Sequence, residues 1–179
     1  MKKIIFSVIA VILTLSFTGC QPTDNYVYDS SNVEVELDTA DYYDIQRIHD
    51  NDDYAVCKMS VATYQYWNVD AALFDIRDIG NIVEYSTEEK WLDISTYSVY
   101  DLMDDRISKA ANLGCDKLLF LNTDIYNWNN GFTITKSITV QYYTDLILAA
   151  NNLNMKVGAL DLDIGEDYEI YSLFDFLKE

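Results

Sequence analysis

Thirty Asp and Glu side chains stand in a chain of 179 residues that holds one histidine, and a suitably spaced pair of them is one arrangement that could do chemistry. Glycoside hydrolysis needs two such groups, one to protonate the leaving oxygen and one to act as nucleophile or base. With acids this common, spacing singles out no pair, and no catalytic residue is named. His49, in Ile48-His49-Asp50, could serve as a base, but a lone His on a polar segment reads as solvated. The chain has no H-E-x-x-H zinc helix, G-x-S-x-G elbow, G-x-G-x-x-G turn or Walker A loop. Glycines 80, 114, 131, 158 and 165 occur singly, which excludes nucleotide binding through a glycine-rich loop. No cofactor is implied.

Two acid clusters suggest calcium, a hard cation that takes six to eight oxygens. Asp50, Asp52 and Asp53 form one, and Asp161-x-Asp163-x-Gly165-Glu166-Asp167 the other. The second lacks calcium-loop spacing, and both read better as solvated faces, so no metal is assigned. Aromatic rings beside amides are a different signal, because Tyr and Trp stack on the apolar faces of sugars or anchor protein interfaces. Tyr64, Tyr66 and Trp67 in Tyr64-Gln65-Tyr66-Trp67-Asn68 are candidate ligand contacts, as are Tyr126 and Trp128 in Tyr126-Asn127-Trp128-Asn129. Trp128 is the stronger candidate, since a turn residue is less often buried.

The elements that must position these rings follow from periodicity. Val33-Glu34-Val35-Glu36-Leu37 alternates as a strand with one wet face, and residues 41–50 read as a short helix with Ile45 and Ile48 inward. Residues 55–66 read as a strand and 70–80 as a helix. The strongest helix spans 98–113, with Val99, Met103, Ile107, Ala110 and Leu113 on one face and Gly114 as its stop. Residues 117–125 and 132–143 then read as two strands joined by the Asn127–Gly131 turn, and 159–164 as a strand before a terminal helix bearing Ile170, Leu173, Phe174 and Leu177. The expected fold is α+β: a mostly antiparallel sheet with the 98–113 helix on one face and a C-terminal helix. One domain, residues 33–179, suffices for this length.

The N-terminus predicts an address. Lys2 and Lys3 precede an apolar run, Ile4 to Phe17, too short to span a bilayer. The run closes on Phe17-Thr18-Gly19-Cys20, which resembles a bacterial lipobox apart from Phe17 where Leu is commonest. That resemblance implies removal of residues 1–19, acylation of Cys20 (palmitate among the chains), and residues 20–32 as a tether of at most roughly 40 Å. Formal charge is −18, and near −20 without Lys2 and Lys3, so headgroups and nucleic acid repel the body and acyl chains would be the membrane contact. The expected location is the bacterial cell envelope, at the outer membrane if the cell has one. Cys57 and Cys115 are an even pair that suits one disulfide in an oxidising compartment, although buried free thiols would fit their apolar surroundings as well.

Ala110-Ala111-Asn112-Leu113-Gly114-Cys115-Asp116 joins the long helix to an apolar strand. Residues 98–143 thereby resemble the small α/β domains of the Rcs-pathway stress-sensor lipoprotein and of heavy-metal-binding proteins. Cys115 and Lys117 depart from that pattern, and only an architecture and a sensing role are implied. The function expected from all this is a lipid-anchored, non-enzymatic module that binds or senses an envelope protein or a glycan. Two alternatives stand beside it: a carboxylate-based hydrolase, and a structural surface lipoprotein without a discrete ligand.

Overall fold

The computed structural model describes residues 30–160 and 168–178. Cys20, the leader and the tether lie outside the described residues, as do the acids of 161–167. The described elements are β1 (Asn32–Glu36), α1 (Tyr42–His49), β2 (Tyr54–Ser60), β3 (Thr63–Gln65), β4 (Ile79–Ile82), β5 (Glu89–Leu92), α2 (Tyr97–Leu113), β6 (Lys117–Leu121), α3 (Lys136–Asn152), β7 (Lys156–Leu160), α4 (Tyr168–Tyr171) and β8 (Phe176–Lys178). Five strands form one sheet in the order β1-β2-β6-β7-β8, and every pairing in it is parallel. Each new strand is laid beside the previous one after a helical crossover. The order never reverses, which is the winding of a (β/α) barrel rather than of a doubly wound sheet.

One sheet face carries Ala55, Cys57, Met59, Leu118, Phe120 and Val157 and is covered by the helices in the main core. α1 begins with a reciprocal capping box between Asp41 and Asp44 and turns Ile45 and Ile48 inward. α2 ends at Gly114, whose φ of +94° suits a residue without a Cβ. A disulfide joins Cys57 on β2 to Cys115, two residues before β6, with 5.9 Å between their Cα atoms. On the opposite face Val56, Leu119 and Phe176 make a small apolar cluster. Gly158 leaves room there for the Phe176 ring, which a Cβ would meet at 2.2 Å. Beside it Lys58 pairs with Glu36 at 2.6 Å and with Glu34 at 3.6 Å, so the acids of β1 lie against a cation rather than forming a plain wet face.

Between β2 and α2 the chain makes an excursion at the carboxyl end of the sheet. It forms a separate antiparallel sheet, β3-β5-β4. This small sheet holds the antiparallel pairing among the described strands, so the expectation of a mostly antiparallel α+β fold is overturned. The main error lies in residues 132–143. Their β-branched alternation suggested a strand, but Lys136–Asn152 is helical and buries Thr139, Tyr142, Tyr143, Leu146, Ile147 and Ala150, a 3.6-residue stripe. With a helix there, β6 cannot close a hairpin and crosses over to a parallel neighbour instead. The expected terminal helix is the short α4, and its tail becomes β8. The expected helix over 70–80 is two single-turn 3-10 segments running into β4.

Candidate active site

In barrels of parallel strands, side chains at the carboxyl ends and on the following loops meet over one rim. Two connections dominate that rim here: residues 61–96, after β2, and residues 122–135, after β6. The last residue of β2, Ser60, and the first of β3, Thr63, are both buried, and their hydroxyls lie 2.5 Å apart. Thr63 Oγ1 donates to Glu89 Oε2 at 2.7 Å. The first residue after β6, Asn122, adopts φ +59°, a left-handed conformation that asparagine tolerates. This turns its amide inward, where Nδ2 lies 3.0 Å from Ser60 Oγ, 3.1 Å from Thr63 Oγ1 and 3.3 Å from Glu89 Oε2. The other end of the same amide, Oδ1, accepts the Tyr85 hydroxyl at 3.1 Å.

Tyr85 is the centre of an acidic and aromatic group. Its ring meets Trp128 edge-on at 5.6 Å and Trp91 edge-on at 6.2 Å. Desolvation, followed by the charges of Asp124, Glu89 and Glu84, pushes its phenol well above the ordinary value. Each indole donates to one of those acids: Trp128 Nε1 to Asp124 Oδ2 at 2.5 Å, and Trp91 Nε1 to Glu84 Oε2 at 3.2 Å. Behind them the buried hydroxyls of Thr123 and Tyr143 have no hydrogen-bond partner. Such orphans are uncommon in folded proteins.

The two connections are fastened to each other. Asn81 donates its backbone N–H to Asn130 O at 3.0 Å and its side-chain amide to Asn129 O at 2.9 Å. Gly80 makes the approach feasible, because a Cβ on it would stand 2.1 Å from Asn130 O. Asn130, itself buried, donates to Ile125 O at 3.0 Å and accepts Phe132 N–H at 2.8 Å, which shapes the turn carrying Trp128. On the far side of Ser60, buried Arg106 of α2 donates to Ser60 O at 3.0 Å and grips both oxygens of Asp70 at 2.7 and 2.8 Å. Burial raises the Asp70 carboxyl, and the bonds and charge of Arg106 more than offset this and leave it lowered. Asp38, just beyond β1, borders the same 140 Å³ cavity, and burial is the main cause of its raised carboxyl.

All five aromatic candidates lie on these two connections. Trp128 is part of the cluster, and Tyr126 is half-buried against the core. Tyr64 packs edge-on against Phe74 at 5.9 Å, while Tyr66 and Trp67 pair at 5.0 Å on the exposed edge of the excursion. Asp50, Asp52 and Asp53 occupy the turn between α1 and β2, at the opposite, amino-terminal end of the sheet. His49 lies there too, its Nε2 2.9 Å from Asp116 Oδ2. No group of three or more His, Cys, Asp or Glu among the described residues is arranged to hold a metal ion. Sequence reasoning missed Glu84, Tyr85, Glu89, Asn122 and Asp124. The available signal was Asn122-Thr123-Asp124 directly after the apolar run Leu118–Leu121.

A singly wound parallel sheet with carboxylates, amides and indoles gathered over its carboxyl rim defines the class: a (β/α)-barrel-type protein. The chain belongs to glycoside-hydrolase family GH114, whose model matches residues 11–176. Among solved structures it is similar to Aspergillus fumigatus Ega3 in complex with galactosamine, with 25% identity and a TM-score of 0.78 over 86% of this chain and 61% of that one. The glycoside hydrolase domain of PelA from Pseudomonas aeruginosa shares the fold at 10% identity, TM-score 0.60, over 73% of this chain and 52% of that one. An α-galactosidase from Thermus thermophilus, solved with stachyose, shares it at 14% identity and TM-score 0.56, over 76% and 30%. This chain therefore spans less than two thirds of the length of these structures. No curated protein matches it.

Family membership corrects the recognition made from sequence. The match begins at residue 11, inside the apolar run read as a leader, and contains all of 98–143, where the resemblance to a small sensor domain was drawn. The readings of lipoprotein, membrane-held binding module and non-enzyme give way to a glycoside-hydrolase family. Abundant acids hide which of them come together, whereas a short N-terminal motif stands out.

Proposed function

We propose that the carboxyl-rim cluster cleaves or binds for cleavage the glycosidic bonds of a polysaccharide containing amino sugars. The observation that carries this reading is the gathering of three acids about Tyr85: Trp91 and Trp128 meet its ring and donate to Glu84 and Asp124, and Asn122 joins its hydroxyl to Glu89. A retaining or inverting glycosidase needs two carboxylates on either side of the scissile bond, and aromatic rings to seat the sugar. Glu89 and Asp124 are the pair put forward. Thr63 and Asn122 hold Glu89 Oε2, and Trp128 donates to Asp124 Oδ2, which orients both carboxylates. Tyr85 and Trp128 would form the sugar-contacting wall, with the buried Trp91 ring packed behind Tyr85.

Ega3 was solved with galactosamine, and a protonated amine suits a body with formal charge −18. The substrate class proposed is therefore a galactosamine-containing glycan with free amines. The test is release of reducing ends from oligosaccharides of galactosamine and from their N-acetylated counterparts by the full chain. Cleavage of the first set, abolished in Glu89→Gln and Asp124→Asn, is expected. Cleavage that survives both substitutions would reject the assigned pair, and no cleavage of either set would reject the activity.

A further inference from the structure

We propose that the cleft between the first turn of α2 and the N-terminal half of α3 is a second carbohydrate site, which holds an amino-sugar unit of the same polysaccharide away from the bond being cut. The inference rests on the substrate class proposed above. The cleft has a volume of about 500 Å³, within the range of small-molecule sites. Tyr97 and Tyr100, one helical turn apart, form one wall; their rings are stacked at 6.3 Å with 29° between planes. Tyr97 is 77% exposed, so a broad ring face is open to a ligand on a helix that has no need of it for packing. The facing wall is polar and comes from α3, with Ser137, Gln141 and Asp145 along it. A flat aromatic wall opposite amide, hydroxyl and carboxylate groups matches a pyranose, which has apolar faces and a polar edge.

Charge selects which pyranose. Asp145 lies in the cleft and, with Asp104, stands close enough to the Tyr100 hydroxyl to act on it electrostatically. Gln141 donates to one oxygen of Asp145 at 2.9 Å and leaves the other for a ligand cation. Thr96, at the mouth, makes no side-chain cap to α2, so first-turn amides remain as donors for sugar hydroxyls. The cleft is also in the right place along the chain. α2 starts just after β5, and α3 starts where the connection bearing Asn122, Asp124 and Trp128 ends. Both walls thus begin where the two connections carrying the catalytic cluster finish, and a polymer crossing the rim can extend into the cleft.

The experiment measures retention of the full chain on immobilised galactosamine polymer, in a Glu89→Gln background so that the glycan is not consumed. Tyr97→Ala is expected to weaken retention roughly three- to tenfold, the scale of one lost stacking contact. Asp145→Asn is expected to weaken it similarly, and that loss should vanish when the polymer is N-acetylated. In the Glu89 enzyme, Tyr97→Ala should leave kcat/KM on a short galactosamine oligosaccharide within about twofold of the parent value. Unchanged retention in Tyr97→Ala overturns the proposal, as does an equal loss on the short oligosaccharide, which would make the cleft part of the catalytic site. Retention that responds to Tyr97 while no oligosaccharide is ever cleaved would reject the hydrolase reading and leave the second site standing.

Discussion

The hydroxyl of Tyr85 donates to Asn122 Oδ1 across 3.1 Å, and through that bond a residue of the inserted sheet is set by the end of a central strand. Asn122 holds Glu89 with the other half of the same amide. One side chain therefore orients both the phenol and a proposed catalytic carboxylate. Asn122→Gly keeps the left-handed backbone and deletes these two contacts together with those to Ser60 and Thr63. It should cost about 1–2 kcal/mol in urea unfolding and lower kcat/KM by at least about tenfold. Full activity in a folded Asn122→Gly protein would show that the amide orients nothing of consequence.

Trp128 combines a ring contact with a charge-assisted donor. Trp128→Phe keeps an edge for Tyr85 but removes the hydrogen bond to Asp124, worth roughly 1.5–3 kcal/mol where it is fully made. Oligosaccharide cleavage should fall much further than unfolding stability. Equal losses in the two assays would mean that the indole only packs.

Gly80→Ala tests the fastening of the two connections. Its Cβ would stand 2.1 Å from Asn130 O, so the excursion must move away from the turn that carries Trp128. Near-parental far-UV circular dichroism, with changed Trp fluorescence and reduced activity, is the expected pattern. Unaltered fluorescence and activity would show that the two loops do not need each other.

Two carboxylates near Arg106 oppose each other in pH dependence. The Asp70 carboxyl is lowered by Arg106, so its contribution is present above its unfolded value, about 3.9, and is lost as pH falls through the folded one. The Asp38 carboxyl is raised, first by burial and also by Asp70, so ionising it works against the fold as pH rises. Asp38→Asn should raise the urea midpoint at pH 7, and its advantage should shrink toward pH 4. Asp70→Asn should lower the midpoint at pH 7, with a smaller deficit in acid. A pH-independent effect of either substitution would contradict the linkage.

The local rules were easiest to read where one residue type decides an outcome. Gly114 ended a helix, and Ile45 and Ile48 marked an inward face. Residues 132–143 misled because Ile134, Ile138 and Val140 alternate, yet Thr139, Tyr142, Leu146 and Ala150 keep helical spacing and win through tertiary burial. Strand direction was also hidden: β6 is apolar on both faces, as a parallel strand must be, but a short apolar run fits a buried hairpin equally well. The site was the least visible part. Glu89, Asn122 and Thr63 come together only because a parallel sheet brings the ends of β2 and β6 side by side, and nothing in a list of thirty acids marks that meeting.

The Cys57–Cys115 bond closes a ring of chain that contains the whole antiparallel excursion and all of α2. A closed loop of that length accounts for roughly 4 kcal/mol in the chain-entropy model. It also changes what damage means. A protease that nicks the exposed stretch around Tyr66, Trp67, Val69, Leu73 and Ile76 cuts a ring, and a ring cut once is still one molecule. Glu84, Tyr85 and Glu89 lie on the C-terminal side of such a break and stay attached through α2 to β6, and the disulfide keeps that piece joined to β2 until a reductant reaches the sulfurs.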